Sequence, residues 1–190
     1  MRIYDLTGQD ILATQHLTRW HMVRTRRAQT LAEHLGTVAM LSVKIAALWD
    51  TVTLSLDDMA NLLDYALTHD AHEIEFGDPP SPAVRIFPEA HAAAITHFWK
   101  RRGGLSPVAP HIERIVAIAD KLEAALFYQL EGEDPGLKAA CWQKVRELVS
   151  SAPLPVALWA SQLMKSVEIG TFTPQPGGAG DDHQPRQPVA

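Results

Sequence analysis

Three stretches of this chain carry apolar stripes at helical spacing, and each stripe runs into ionisable side chains. That conflict limits the folds open to the sequence. In residues 62–82, LLDYALTHDAHEIEFGDPPSP, Leu62, Leu63, Ala66 and Leu67 read as the buried side of a helix. The same spacing carries His69, Asp70 and Glu73 onto that side. An earlier stretch lines up Leu31, Leu35, Val38, Leu41, Ile45 and Leu48, and His34 shares their face. A later one lines up Ile112, Ile115, Val116 and Ala119, with Asp120 four residues after Val116 and Glu123 another three on. A buried, unpaired carboxylate costs several kcal/mol, and two in one core need compensation. A divalent cation held where the three stripes meet supplies it.

Helical periodicity dominates the rest of the chain, and no convincing alternating strand is present. The spacing predicts helices over about 9–18, 30–49, 56–74, 88–101, 109–130, 136–150 and 154–168. Thr30 with Glu33 reads as a capping box, and Ser55 as the N-cap of the third helix. Pro79, Pro80 and Pro82 in GDPPSP break that helix, and Gly103-Gly104 with Pro107 separates the fourth from the fifth. The expected fold is an all-α, single-domain helical bundle over residues 1–173. From Pro174 onward, PQPGGAGDDHQPRQPVA has little to bury and reads as a disordered tail, 174–190.

Composition excludes several classes of function. With 190 residues, 46% hydrophobic and 21% charged, the chain has the make-up of a soluble globular protein. A formal net charge of -5 argues against a coat for a nucleic-acid polymer or a membrane surface, although a local basic pocket for a small anion remains open. Cys141 is the only cysteine, so no intrachain disulfide forms. MRIYDLTGQD lacks an apolar signal core, and no apolar run nears the roughly 20 residues of a membrane span. A cytoplasmic location is the expectation.

His34, His69, Asp70 and Asp120 form a mixed nitrogen and oxygen donor set, which suits Mn, Fe, Co, Ni or Zn rather than Ca. His69 and Asp70 differ by about 100° around a helix and reach one ion if the helix end points into the site. Four protein ligands of about six leave positions for water and a phosphate oxygen. His72 reads as outward, solvated or behind the ligands; His16, His21, His91, His97 and His111 read as surface or packing residues.

In this order, His34, His69-Asp70 and Asp120 resemble the HD-domain phosphohydrolases. The likeness runs from about Leu17 to Leu130. Arg19-Trp20, RRAQTLAEH ending at His34, HDAHEIEFGDPPSP, and IVAIADKLEA with Asp120 carry it. They point to the small 5'-deoxynucleotidase branch and its phage relatives that hydrolyse deoxynucleoside triphosphates. The resemblance implies an HD-type bundle, with His34, His69, Asp70 and Asp120 as metal ligands and Glu73 beside the attacking water. It further implies Arg19 near phosphate, and Trp20 and Asp78 shaping the deoxynucleoside pocket; Met22 and Pro79, their neighbours in sequence, are read as further residues lining the base pocket. Two departures stand out. The span from Asp70 to Asp120 is shorter than in bacterial nucleotidases, closer to phage enzymes. Where relatives carry a lysine past the GD-P-(S/T)-P segment, this chain reads Ala83-Val84-Arg85, and Arg85 stands as the substitute.

Residue chemistry leads to the same reading while leaving alternatives open. Glu73 projects one turn beyond His69 and Asp70, placed to orient or deprotonate water or to protonate a leaving oxygen. The other reading of Glu73 is a surface carboxylate paired with a base. Arg19 offers a donor fork for phosphate or is simply solvated. Trp20 stacks on a base or fills the core. Asp78 takes a ribose 3'-hydroxyl or forms a turn. Arg24, Arg26 and Arg27 form a basic loop before His34, drawing a polyphosphate or merely solvated.

The expectation is a deoxynucleotide phosphohydrolase acting on dNTP, dATP-type with tripolyphosphate release, or on dNMP. The expected cofactor is one divalent transition metal, Zn, Co or Mn, with a second ion such as Mg arriving with the substrate phosphates. A homo-oligomer, dimer or hexamer, is expected by resemblance. The alternatives are a noncatalytic metal- and nucleotide-binding module and a purely structural helical oligomer.

Overall fold

Side-chain caps set where the helices begin. In the computed structural model, residues 3–49, 54–104 and 107–168 are described. The expectation of a disordered tail over 174–190 lies outside them. Thr7 and Asp10 close a capping box on α1 (Gly8–Ala13), Thr30 and Glu33 on α2 (Leu31–Ala47), and Ser55 and Asp58 on α3 (Leu56–Thr68). A short α4 (Glu73–Phe76) and α5 (Ser81–Ile86) follow. Then α6 (Pro88–Lys100), α7 (Pro110–Glu131) and α8 (Pro135–Val149) each open on a proline, where a missing amide costs nothing. The last described helix is α9 (Leu154–Glu168). None of these helices is long and apolar enough to cross a membrane.

Helices α2, α3 and α7 pack against one another, and α8 and α9 cover the other side of α7. Val38, Ile45, Leu62, Ile115 and Leu122 are fully or almost fully buried at the centre. Trp142 and Val145 of α8 and Val156 and Ala160 of α9 extend the same core. A second cluster of Ala71, Phe98 and Trp99 sits beside α4 and α6.

Four features differ from the periodicity. The first helix stops at Ala13 rather than near 18, because the chain turns into a two-residue antiparallel pair, β1 (Thr18–Arg19) with β2 (Gln29–Thr30). No strand was expected there, and a pair this short leaves no alternation to read. The helix expected over 56–74 ends at Thr68. The amides of Ala71 and Glu73 reach back only three residues, to Thr68 and Asp70, and the tighter turn buries Ala71 against Phe98 and Trp99. Leu63, assigned to the buried face, is exposed. Finally, α5 forms within the proline-rich stretch.

Loop 20–28 is fastened to the end of α7 by the Thr25–Gly132 bridge and by the Arg26 amide, which donates to the Glu131 carbonyl at 2.8 Å. A Cβ at Gly132 would lie 2.5 Å from the Tyr128 ring and carbonyl, so this closure requires glycine.

On the opposite flank, Arg102 Nη2 donates to Asp10 Oδ1 at 2.7 Å and ties α1 to the end of α6. That bond, against the opposing effect of burial, holds the Asp10 carboxyl at about 2. A depressed folded-state value adds stability that is complete above the unfolded value near 3.8 and is lost as pH falls toward 2. Solvent screens the pair, so Asp10→Asn is expected to cost about 1 kcal/mol at neutral pH. Urea unfolding from pH 7 down to 2 should show this difference fading below pH 4; a difference independent of pH would contradict the assignment.

Candidate metal centre

Three helices deliver the ionisable groups that interrupt their stripes. His34 comes from the second turn of α2, His69 and Asp70 from the end of α3, and Asp120 from the middle of α7. One donor atom from each lies within 4.8 Å of all the others. His34 Nε2 is 3.4 Å from Asp70 Oδ2 and 3.5 Å from Asp120 Oδ1, and His69 Nε2 is 3.3 Å from Asp70 Oδ2.

The hydrogen bonding fits a cation. His69 Nδ1–H donates to the Ala66 carbonyl at 3.0 Å, and His34 Nδ1–H donates to Glu123 Oε2 at 2.6 Å. Each bond turns the Nε2 lone pair inward, the tautomer a metal needs. Both Nε2 atoms are buried without a hydrogen-bond partner. Two imidazole nitrogens and two carboxylate oxygens at this spacing can hold one divalent transition metal.

Charge is concentrated here. Burial opposes ionisation of Asp70, but His69, His34 and Arg19 outweigh it and hold the carboxyl well below its ordinary range. Burial likewise opposes ionisation of Asp120, but Lys121 at 2.7 Å, His69 and His34 together outweigh it and hold the carboxyl below its ordinary range. Glu73 goes the other way: burial first, then the negative charge of Asp70, push it up to about 10. The structure buries Glu73 at 4% exposure, which removes the surface reading.

Arg19 points its guanidinium into the same space. Its Nη1 is 3.6 Å from Asp70 Oδ2 and its Nε 4.0 Å from Asp78 Oδ2, and both nitrogens are buried without a hydrogen bond. Burial works against the charge, but Asp70, Glu73, Asp120 and Asp78 together outweigh it. Trp20 follows with its backbone at φ 64, and its amide donates to Asp78 Oδ2 at 3.4 Å. The Trp20 ring packs on Tyr128 and Phe127. Asp78 reaches this side because α4 ends at Gly77, whose φ of +78 favours glycine.

The remaining expected residues lie further out. Pro79 is half-buried next to Asp78. Met22 is 70% exposed in loop 20–28. Arg85 is exposed on α5 and forms no ion pair among the described residues. Arg27 of the basic loop pairs with Glu33 and Glu131 instead of facing the centre. His72 is buried rather than outward or solvated; it packs edge-on against His91, and burial pushes its pKa down.

Sequence reasoning missed the roles of Lys121, Gln29 and Glu123. Lys121 Nζ contacts Asp120 at the rim of the centre. Gln29 and Glu123 support His34 from behind. Glu123 did carry a signal, a carboxylate on the buried stripe of α7, but Gln29 carried none. An apolar groove of about 720 Å³ opens between α2, α7 and α9; Gln29 and Glu123 are among its walls, whereas His34, His69, Asp70 and Asp120 are not.

Comparison with known proteins identifies the relatives of this chain. Residues 10–96 match the family described as 5'-deoxynucleotidase YfbR-like. A dATP triphosphohydrolase of Salmonella phage PMBT28 is 30% identical over 186 residues, covering 88% of this chain and 93% of that protein. A dATP triphosphohydrolase of cyanophage S-2L is 26% identical, covering 64% of this chain and 69% of its own. Among solved structures, the cyanophage S-2L HD phosphohydrolase DatZ, bound to dA and one catalytic Zn2+ ion, superposes with a TM-score of 0.69. It shares 20% identity and covers 89% of this chain and 99% of that one. The PH0347 protein of Pyrococcus horikoshii OT3 superposes at 0.59 with 22% identity, covering 84% and 95%. This chain belongs to the HD phosphohydrolases, in the group of YfbR-like 5'-deoxynucleotidases and phage dATP triphosphohydrolases.

Proposed function

We propose that this protein is a metal-dependent deoxynucleotide phosphohydrolase that breaks the bond between the 5'-oxygen and the α-phosphorus, with dATP as its preferred substrate. Water and dATP give deoxyadenosine and tripolyphosphate; with dAMP the same cleavage gives deoxyadenosine and phosphate. The observation that carries the reading is the convergence of His34, His69, Asp70 and Asp120 within 4.8 Å beside Arg19, whose buried Nε and Nη1 make no hydrogen bond. The substrate assignment is supported by the named activity of the phage relatives.

In this reading His34, His69, Asp70 and Asp120 hold the ion, most simply Zn2+. A bound divalent ion lowers the pKa of water and polarises a phosphoryl oxygen. The chain supplies everything else. Arg19 Nε and Nη1, already desolvated, receive the α-phosphate oxygens without further loss of hydration. Glu73, whose buried carboxyl is pushed up to about 10 and so holds its proton at neutral pH, donates that proton to the leaving 5'-oxygen and is restored by the proton the attacking water gives up. Trp20, Met22 and Pro79 wall the base and sugar, and Asp78 accepts from the 3'-hydroxyl. Arg85 reaches from α5 toward the outer phosphates. We further infer a cytoplasmic homo-oligomer; the exposed Leu154 and Leu158 of α9, Ile86 at the end of α5 and Phe87 just after it support an interface. Sedimentation should give a dimer or hexamer, and a monomer at all concentrations would contradict this.

The test is a panel of deoxy- and ribonucleoside mono- and triphosphates with Zn, Co, Mn and Mg, read as phosphate or tripolyphosphate. Turnover of dATP to tripolyphosphate supports the proposal. Turnover of monophosphates alone makes the protein a 5'-deoxynucleotidase. Metal binding without any hydrolysis makes it a binding module.

A further inference from the structure

A single hydrogen-bonded line connects Trp20 to His34. Trp20 Nε1–H donates to Gln29 Oε1 at 2.8 Å. The amide of Gln29 then donates through Nε2 to Glu123 Oε1 at 2.5 Å, and His34 Nδ1–H donates to Glu123 Oε2 at 2.6 Å. The indole end fixes which way the Gln29 amide faces, and each oxygen of Glu123 accepts one bond. Gln29, His34 and Glu123 are 2%, 0% and 3% exposed.

Packing alone gives no reason for this line. A buried carboxylate between two helices is usually no more stabilising than an apolar side chain of its size. Glu123 and Trp20 are each held in place by the fold. Glu123 lies one turn beyond Asp120 on α7, so ligand and support keep a fixed spacing. At its other end, Trp20 is the one described non-glycine residue with positive φ, a backbone state its surroundings must impose. Its ring is packed 5.0 Å from that of Tyr128.

We propose that Gln29 and Glu123 are positioning residues that couple the metal centre to the nucleoside pocket: Glu123 sets the tautomer and tilt of His34, and Gln29 ties that setting to Trp20. The inference rests on His34 as a metal ligand and Trp20 as a wall of the nucleoside pocket. Occupancy at either end then favours the same arrangement of the line. The effect is reciprocal: Zn2+ tightens nucleoside binding by the factor by which nucleoside tightens Zn2+ binding.

Calorimetric titration of the full chain tests this with Zn2+ alone, deoxyadenosine alone, and each in the presence of the other. Deoxyadenosine is the probe because it has no phosphate to contact the ion. In the wild type the coupling factor is expected to be at least about 5. Glu123→Gln is expected to weaken Zn2+ about 10- to 100-fold. Gln29→Leu is expected to bring the coupling factor close to 1 while Zn2+ still binds. Trp20→Phe removes the indole N–H together with the five-membered ring while keeping an aromatic ring in place, and should also lower the factor, which keeps the test available if a buried substitution fails to fold. A wild type that binds no Zn2+ overturns the reading of the site itself. A wild type that binds both ligands with a coupling factor of 1, or keeps its factor in Gln29→Leu and Trp20→Phe, overturns the relay alone.

Discussion

Asp70→Ala is expected to lose both the bound metal and hydrolysis while keeping the helical fold. Asp70 Oδ2 is the hub of the centre, 3.4 Å from His34 Nε2, 3.3 Å from His69 Nε2 and 3.6 Å from Arg19 Nη1. Removing it leaves three donors of four and takes away the negative charge that offsets the cation. In the wild type, Zn2+ at 100 times its dissociation constant should add about 2.7 kcal/mol of stability by mass action. For a chain of this size that raises the melting temperature by roughly 5–11 °C. Asp70→Ala should show no such rise, and turnover should fall by about 10⁴-fold or more. Thermal unfolding with and without Zn2+, alongside a phosphate-release assay, measures both. A variant that keeps either the thermal shift or the turnover would remove Asp70 from the centre.

Glu73→Gln is expected to separate binding from chemistry. The amide occupies the same buried volume, and no metal donor is lost, so the Zn2+-dependent thermal shift should persist. Glu73 in the wild type is pushed up to about 10 by burial and by Asp70. The amide cannot carry that proton. A positioned acid or base contributes about 10²–10⁴-fold, and the loss should fall on kcat with KM little changed. Steady-state kinetics at neutral pH, where the wild-type carboxyl holds its proton, would show the lowered kcat of the variant. A fall in KM-dependent rate alone, with kcat intact, would make Glu73 a substrate contact instead.

The legible part of this site was the part that violated a pattern. His34, Asp70 and Asp120 each stand where an apolar stripe calls for an aliphatic residue, and their energetic cost in a core is what exposes them in the sequence. The structure brings these three and His69 together through α2, α3 and α7. Glu123 violated the same pattern, but linear spacing cannot tell a carboxylate facing a cation from one facing the back of an imidazole. Gln29 was invisible: a neutral amide in a two-residue strand breaks no periodicity. The end of α3 was hidden because three-residue turns from Thr68 to Glu73 keep nearly helical spacing, and only the long-range packing of Ala71 on Phe98 and Trp99 marks the change. The helix at Ser81–Ile86 was hidden by its prolines, although Pro82 lies in its first turn, where no amide is needed. Caps at Thr30 and Ser55 were legible because they are local.

The central claim is that one cation sits among His34, His69, Asp70 and Asp120 with a coordination position left for substrate. Anomalous diffraction at the zinc edge, on crystals grown with Zn2+ and deoxyadenosine, measures it directly. The account predicts one strong peak about 2.0–2.2 Å from His34 Nε2, His69 Nε2 and an oxygen of each carboxylate, with open space on the Arg19 side. A peak elsewhere, or four protein ligands closing the ion off from Arg19, would contradict it.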